Sequence, residues 1–219
     1  MKKIHKTGAI GLAMLTAAPA FAHHPLGGMQ METFAHGVLS GVGHPVLGFD
    51  HLFFVALVGI AAVFTGRAKA APAAYIGAML MGCLLMTQGF GLPLKEFAIG
   101  LSLLILGGVV LFGRALSMTS AMLLFAGFGL FHGSAFGDSI AGQEAAMGAS
   151  VIMGYLIGLG VIQYAIAIAT GLIVAKLWNA TEATAIQPRL AGAMVAGIGV
   201  FLTLENTEGL VFDALGWSV

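Results

Sequence analysis

Long apolar segments separated by short polar loops constrain this chain more than any other feature. Six of them follow one another, at roughly 46–65, 72–93, 97–113, 117–136, 149–176 and 189–206. A helix of about 20 apolar residues is long enough to cross a bilayer. Charged residues make up only 8% of the chain, whereas soluble domains carry about 25%. The sequence therefore predicts an all-α, polytopic membrane protein with six transmembrane helices, and it excludes a soluble globular protein.

The N-terminus has the pattern of a cleaved signal peptide. Three lysines are followed by an apolar run over residues 7–19, and Ala20 and Ala22 give the small-x-small pattern of a signal-peptidase site. The apolar run is too short to favour the alternative, an uncleaved first membrane helix. We therefore predict a signal peptide over 1–22, followed by one transmembrane domain over 23–219 with a short, histidine-containing N-terminus in the periplasm.

The basic residues predict the orientation of the six spans. Five of them fall in alternate loops, at Arg67, Lys69, Arg114, Lys176 and Arg189, and the loops on the other side contain only Lys95. Cytoplasmic loops carry the excess of Lys and Arg in membrane proteins. We therefore expect a protein of the bacterial inner membrane with both termini in the periplasm, which is also the arrangement that a signal peptide requires.

Several partners and groups are excluded or left open by composition. The net charge of zero and the lack of a basic run argue against nucleic acid as a partner. A single cysteine excludes an intramolecular disulfide and a cysteine-cluster metal site. Glycines spaced by four, such as Gly154 and Gly158, predict closely packed helices in the bilayer. We expect no prosthetic group, and a homo-oligomer remains open.

The histidines are the main candidates for chemistry. Six lie outside the signal peptide and, with the predicted topology, at the outer ends of helices or just beyond them: His23, His24, His36, His44, His51 and His132. Imidazoles and carboxylates without thiolates suit Ni²⁺, Co²⁺, Zn²⁺ or Cu²⁺. The alternative is that these histidines only cap helices and lie at the membrane interface.

The densest stretch runs from His44 to His51. Pro45 suits the first position of a helix, which predicts that His44 lies just before the first span. Asp50 and His51 would then lie about two turns inside it. The seven-residue spacing puts the two histidines on one helix face, about 10.5 Å apart. Ionisable residues inside a span indicate a functional site.

A second stretch, 131–138, ends the fourth predicted span on the same side. We expect Gly133 and Gly137 to loosen the helix there and expose carbonyl groups. The predicted cation site consists of His44, Asp50 and His51, with His132 contributed from across the bundle. Further candidates are His23, His24, His36, Asp138, Glu144 and Glu205.

These two stretches resemble the HupE/UreJ family of bacterial nickel permeases. The family pattern His-Pro-x-x-Gly-x-Asp-His is matched without exception by residues 44–51, and Phe-x-x-x-His-Gly-x-Ala-(His or aromatic)-Gly is matched by 128–137. Many members have a second histidine where this chain has Phe136. The resemblance covers the whole chain and implies a membrane permease that supplies nickel, or cobalt, for hydrogenase or urease.

Three functions from different classes follow from these observations. The first is a transporter for a divalent cation, Ni²⁺ or Co²⁺, and not an enzyme. The chain has no Gly-x-x-x-x-Gly-Lys-Ser/Thr signature of its own for ATP. The second is a membrane metal-binding or assembly factor that does not transport, and the third is a metal-dependent membrane enzyme. Uptake of ions into proteoliposomes separates the first from the other two.

Overall fold

The computed structural model describes residues 30–141 and 148–216, apart from the side chain of residue 139. Within these ranges the protein is all-α, as predicted, with seven α-helices: α1 Phe34–Leu47, α2 Phe49–Val63, α3 Ala71–Thr87, α4 Lys95–Leu111, α5 Met118–Ala141, α6 Ala149–Leu172 and α7 Ile186–Leu215. A π-helical turn, Ile173–Leu177, extends α6. The predicted signal peptide lies outside the described residues.

Each of the six predicted apolar segments overlaps one of the helices from α2 to α7, although several helix ends differ from the predicted bounds. Three of these are long and apolar enough to cross a bilayer by themselves: Met118–Asp138, Ala149–Leu177 and Ile186–Leu215. The bent pair α1 and α2 passes the same test when it is taken as one unit, which gives a fourth candidate span, and α3 is a shorter apolar helix. The described residues therefore form a multi-pass membrane bundle with three to four candidate spans.

Helix α1 is the element that the sequence analysis missed. The prediction that Pro45 begins the first span is wrong, because Pro45 lies in the last turn of α1 and the next helix begins at Phe49. The chain turns by 82° between α1 and α2. Asp50 and His51 are consequently in the first turn of α2, and not two turns inside a helix.

Helix α2 lies at the centre of the bundle and contacts every other helix in the described part of the chain. Phe54, Val55, Leu57 and Val58 on this helix are fully buried. The most extensive helix pairs around it are α3 with α5, α4 with α7, and α1 with α6. Large apolar side chains such as Leu123 and Leu204 point outward, as expected for a surface that faces lipid.

Glycines allow the backbones of these helix pairs to approach each other closely. A Cβ on Gly158 would lie 2.4 Å from the carbonyl oxygen of Val38, and one on Gly133 would lie 2.0 Å from that of Met79. The expectation that Gly133 and Gly137 loosen the helix is wrong, since α5 continues through both of them to Ala141. Their role is to let α5 lie directly against the backbone of α3.

Candidate metal site

The break between α1 and α2 brings two histidines together. His44 is in the last turn of α1 and His51 in the first turn of α2, and Gly48 between them has extended backbone angles. Their ring centroids are 6.1 Å apart. On a continuous helix the same spacing separates residues by about 10.5 Å along the axis, so the bend places the two imidazoles much closer together than the sequence predicts.

The third histidine reaches the same cluster from α5. Nδ1 of His51 lies 2.7 Å from Nδ1 of His132, so one ring donates a hydrogen bond to the other. On its far side, Nε2 of His132 lies 2.9 Å from Oγ of Ser102 on α4. His132 has no exposed surface and His51 is 6% exposed. His132 of α5 therefore contacts His51 across the bundle, and its participation in a cation site stays a prediction.

Tyr155 of α6 forms a hydrogen bond with His44. The hydroxyl oxygen of Tyr155 is 3.0 Å from Nδ1 of His44, and the hydroxyl group donates to the carbonyl oxygen of Phe136 at 3.2 Å. The tyrosine ring is fully buried. Through this contact, α6 ties the end of α1 to the end of α5.

Aromatic rings enclose the imidazoles. Phe54 stacks on His132 at 4.4 Å between centroids, and Phe136 lies 4.1 Å from His51 and 5.0 Å from His44. Tyr75 of α3 approaches His132 edge-on and donates a hydrogen bond to Oε1 of Gln163. The histidines are therefore fixed in a packed apolar environment, in which a polar contact is stronger than in water.

Acidic residues lie next to this cluster. Oδ1 of Asp50 accepts a hydrogen bond of 2.8 Å from the backbone N–H of His51, within the first turn of α2, where the helix dipole favours a negative charge. Glu96 is in the first turn of α4, and its carboxylate interacts electrostatically with those of Asp50 and Asp138 and with the ammonium group of Lys95. The helix break therefore lies close to several negative charges.

The other predicted residues in the described part of the chain have different surroundings. His36 accepts a hydrogen bond from the backbone N–H of Glu32, in the cap of α1. Asp138 forms an ion pair with Lys95. Glu205 lines a separate cavity of about 380 Å³ between α4 and α7. His23, His24 and Glu144 are outside the described residues.

The cluster is not a complete coordination sphere by itself. Across residues 30–141 and 148–216, no group of three or more His, Cys, Asp or Glu side chains is arranged to hold a metal ion. With metal–nitrogen distances of about 2 Å, two imidazoles bound to one ion have centroids about 5–6 Å apart. The spacing of His44 and His51 is close to this value, whereas both ring nitrogens of His132 already face hydrogen-bond partners.

Comparison with known proteins identifies the family. The family model described as HupE / UreJ protein matches residues 11–202. The chain belongs to the HupE/UreJ family. It is 30% identical to Protein HupE of Rhizobium leguminosarum bv. viciae over 152 residues, which cover 66% of this chain and 77% of that protein. No solved structure matches the chain.

Two residues of the cluster were missed by the sequence analysis. Ser102 and Tyr155 stand outside both stretches that carry the resemblance to the HupE/UreJ family. The sequence did contain a signal for both, because each is a polar residue within an apolar segment. Ser102 lies within 97–113 and Tyr155 within 149–176. Such residues in a membrane helix usually form hydrogen bonds to a neighbouring helix, and here both bond to histidines.

Proposed function

We propose that this protein carries Ni²⁺, or Co²⁺ as a cation of similar chemistry, across the bacterial inner membrane for metalloenzymes such as hydrogenase or urease. Membership of the HupE/UreJ family supports this proposal. The ion is the substrate of the protein and not a resident cofactor. Imidazole nitrogens suit both metals, and the absence of cysteine from the cluster agrees with a site that releases its ion.

The observation that carries the proposal is the pair of imidazoles at a helix break. His44 and His51 lie 6.1 Å apart between centroids, at the end of the helix that runs through the centre of the bundle. Broken helices form the ion sites of many transporters, because they bring ligands and unpaired backbone groups to one point. Asp50, in the adjacent first turn, supplies a negative charge and a candidate oxygen ligand.

The proposal includes a direction. The interacting carboxylates of Asp50, Glu96 and Asp138 attract a divalent cation from the periplasm, and the ion exchanges part of its water for His44 and His51. The broken pair α1 and α2 then counts as one span. With α3 to α7 it makes six, and both termini are periplasmic. The basic loops lie at the opposite, cytoplasmic end of the bundle.

Uptake of nickel into proteoliposomes tests the proposal. We expect uptake by the natural protein at submicromolar Ni²⁺, and at least a tenfold loss for Asp50→Asn and for His51→Ala, with normal amounts of protein in the membrane. His36→Ala is the matched control, because the ring of His36 accepts a local hydrogen bond from the backbone N–H of Glu32 in the cap of α1. It should transport normally.

The outcome separates the competing functions. If the natural protein binds Ni²⁺ but moves none across the bilayer, it is a metal-binding or assembly factor. If Asp50→Asn and His51→Ala both transport at the natural rate when nickel is scarce, the site is assigned to the wrong residues.

A further inference from the structure

We propose that His132 is a positioning residue and not a metal ligand. Together with Ser102 it forms a hydrogen-bond relay that fixes the tautomer of His51, so that Nε2 of His51 carries the lone pair for the cation. This inference rests on the proposed function and assigns roles within its site. It explains why the described residues include three clustered histidines but no group of three side chains arranged to hold a metal ion.

The relay begins at the backbone of α4. The hydroxyl of Ser102 lies 2.6 Å from the carbonyl oxygen of Ile99 and 2.9 Å from Nε2 of His132. A carbonyl oxygen can only accept, so the single hydroxyl proton of Ser102 is donated to Ile99. The oxygen of Ser102 must then accept from His132, which places the proton of the neutral His132 ring on Nε2.

The proton on Nε2 determines the state of the next ring. A neutral imidazole with a proton on Nε2 has its lone pair on Nδ1. Nδ1 of His132 therefore accepts the 2.7 Å hydrogen bond, and Nδ1–H of His51 donates it. His51 consequently has its lone pair on Nε2. A metal-binding histidine ordinarily donates its other N–H to a protein acceptor in this way.

His44 has an equivalent arrangement that uses different residues. The hydroxyl of Tyr155 donates its only proton to the carbonyl oxygen of Phe136. Its oxygen therefore accepts from Nδ1–H of His44, at 3.0 Å, and the lone pair of His44 is also on Nε2. The two histidines on either side of the break thus have the same tautomer. A hydroxyl group that donates to a backbone carbonyl fixes His44 directly, and another fixes His51 through His132.

The chemical consequence is a site with two Nε2 donors, one on each side of the helix break. Both nitrogens of His132 are occupied by the relay, so a direct bond from His132 to the ion would require the relay to break. Residues that orient a metal ligand typically change affinity by about 10–100-fold when they are removed. Ser102, Tyr155 and His132 should show effects of this size without contacting the ion.

A pair of variants of nearly equal shape distinguishes positioning from ligation. The amide oxygen of asparagine can stand near Nδ1 of the replaced ring and accept from His51, whereas leucine has no acceptor. We expect Ni²⁺ binding by the full-length protein in detergent, measured by calorimetry, to weaken by about tenfold or more for His132→Leu and by no more than about threefold for His132→Asn. Equal losses in both variants would make His132 a ligand and overturn the proposal.

Ser102 provides an independent test with its own rescue. Ser102→Ala should weaken Ni²⁺ binding by about tenfold, and Ser102→Thr, which keeps the hydroxyl group, should restore it. The matched control is Ser40→Ala, since the hydroxyl of Ser40 is also buried and has no hydrogen-bond partner in the described part of the chain. Binding by Ser102→Ala at the natural affinity would contradict the relay.

Nitrogen NMR of protein labelled with ¹⁵N-histidine reports the tautomers directly. Signals are assigned by comparison with the His44→Ala, His51→Ala and His132→Asn proteins. We expect Nδ1–H for His44 and His51, and Nε2–H for His132. A proton on Nε2 of His51 would overturn the proposal, even if every variant binds as expected.

Failure of the relay and failure of the site give different results. If His44→Ala and His51→Ala bind Ni²⁺ as well as the natural protein, the proposed site itself is wrong. If both lose binding while His132→Asn binds as weakly as His132→Leu, the site stands and only the relay is wrong.

Discussion

At the scale of single residues, Phe136 packs against both imidazoles of the helix break. The centroid of its ring is 5.0 Å from that of His44 and 4.1 Å from that of His51. This phenylalanine fills the space that a third imidazole would otherwise occupy. It explains in part why the described residues contain no three-donor metal group.

Phe136→His should therefore strengthen metal binding. A third imidazole beside His44 and His51 adds a donor that suits Ni²⁺ and Co²⁺, and we expect the affinity for Ni²⁺ to rise by about tenfold, which corresponds to about 1.4 kcal/mol. Phe136→Leu, which has no donor, is the control and should not bind more tightly. Calorimetric titration of both proteins measures the effect, and a weaker or unchanged affinity for the histidine variant would contradict it.

The sequence singled out residues that lie close together in the fold, but it did not give their arrangement. His44, Asp50 and His51 were proposed because an ionisable residue in an apolar chain is conspicuous. Their spacing was overestimated, since the pattern was treated as one continuous helix. Ser102 and Tyr155 were missed because each lies more than twenty residues from the histidine that it contacts, and only the packing of the helices shows that pairing.

At the scale of elements, α1 escaped prediction because its composition disfavours a helix. Gly37, Gly41 and Pro45 all lie within it, and both residue types weaken helices in water. In the folded protein the two glycines let α1 lie directly on α6, since a Cβ on Gly37 would be 2.2 Å from the carbonyl oxygen of Val151. Packing therefore stabilises a helix that local propensity does not favour.

The same contact rule predicts which glycines cannot be replaced. A Cβ at Gly133 would clash with the backbone of α3, whereas one at Gly127, on the same helix, would meet nothing within 4 Å. We expect Gly133→Ala to lower the free energy of unfolding by about 1–3 kcal/mol or more, the usual cost of overpacking. Gly127→Ala should be neutral or slightly stabilising. Thermal unfolding in detergent compares the two, and equal stability would contradict the packing argument.

At the scale of the whole molecule, the two ends of the bundle differ in chemistry. The end with the helix break also contains the Lys95–Asp138 ion pair and the cavity lined by Glu96, Glu205 and Asp213. At the other end, Tyr164 donates to the carbonyl oxygen of Lys69, and Arg189 donates to that of Leu111. The all-α class and this charge asymmetry were readable from the sequence, because long apolar segments and unevenly placed charges are both typical of membrane proteins.

The charge asymmetry predicts which end faces the periplasm, and the single cysteine makes this simple to test. Cys83 is fully buried, so it should not react with a membrane-impermeant thiol reagent. In spheroplasts, Glu208→Cys near the end of α7 should be labelled from outside, because acidic residues dominate that end. Lys69→Cys should be labelled only after the membrane is permeabilised, because basic loops stay in the cytoplasm. Both substituted residues are exposed. The reverse labelling pattern would mean that the protein has the opposite orientation in the membrane. The helix break would then receive its cation from the cytoplasm, and the protein would be an exporter.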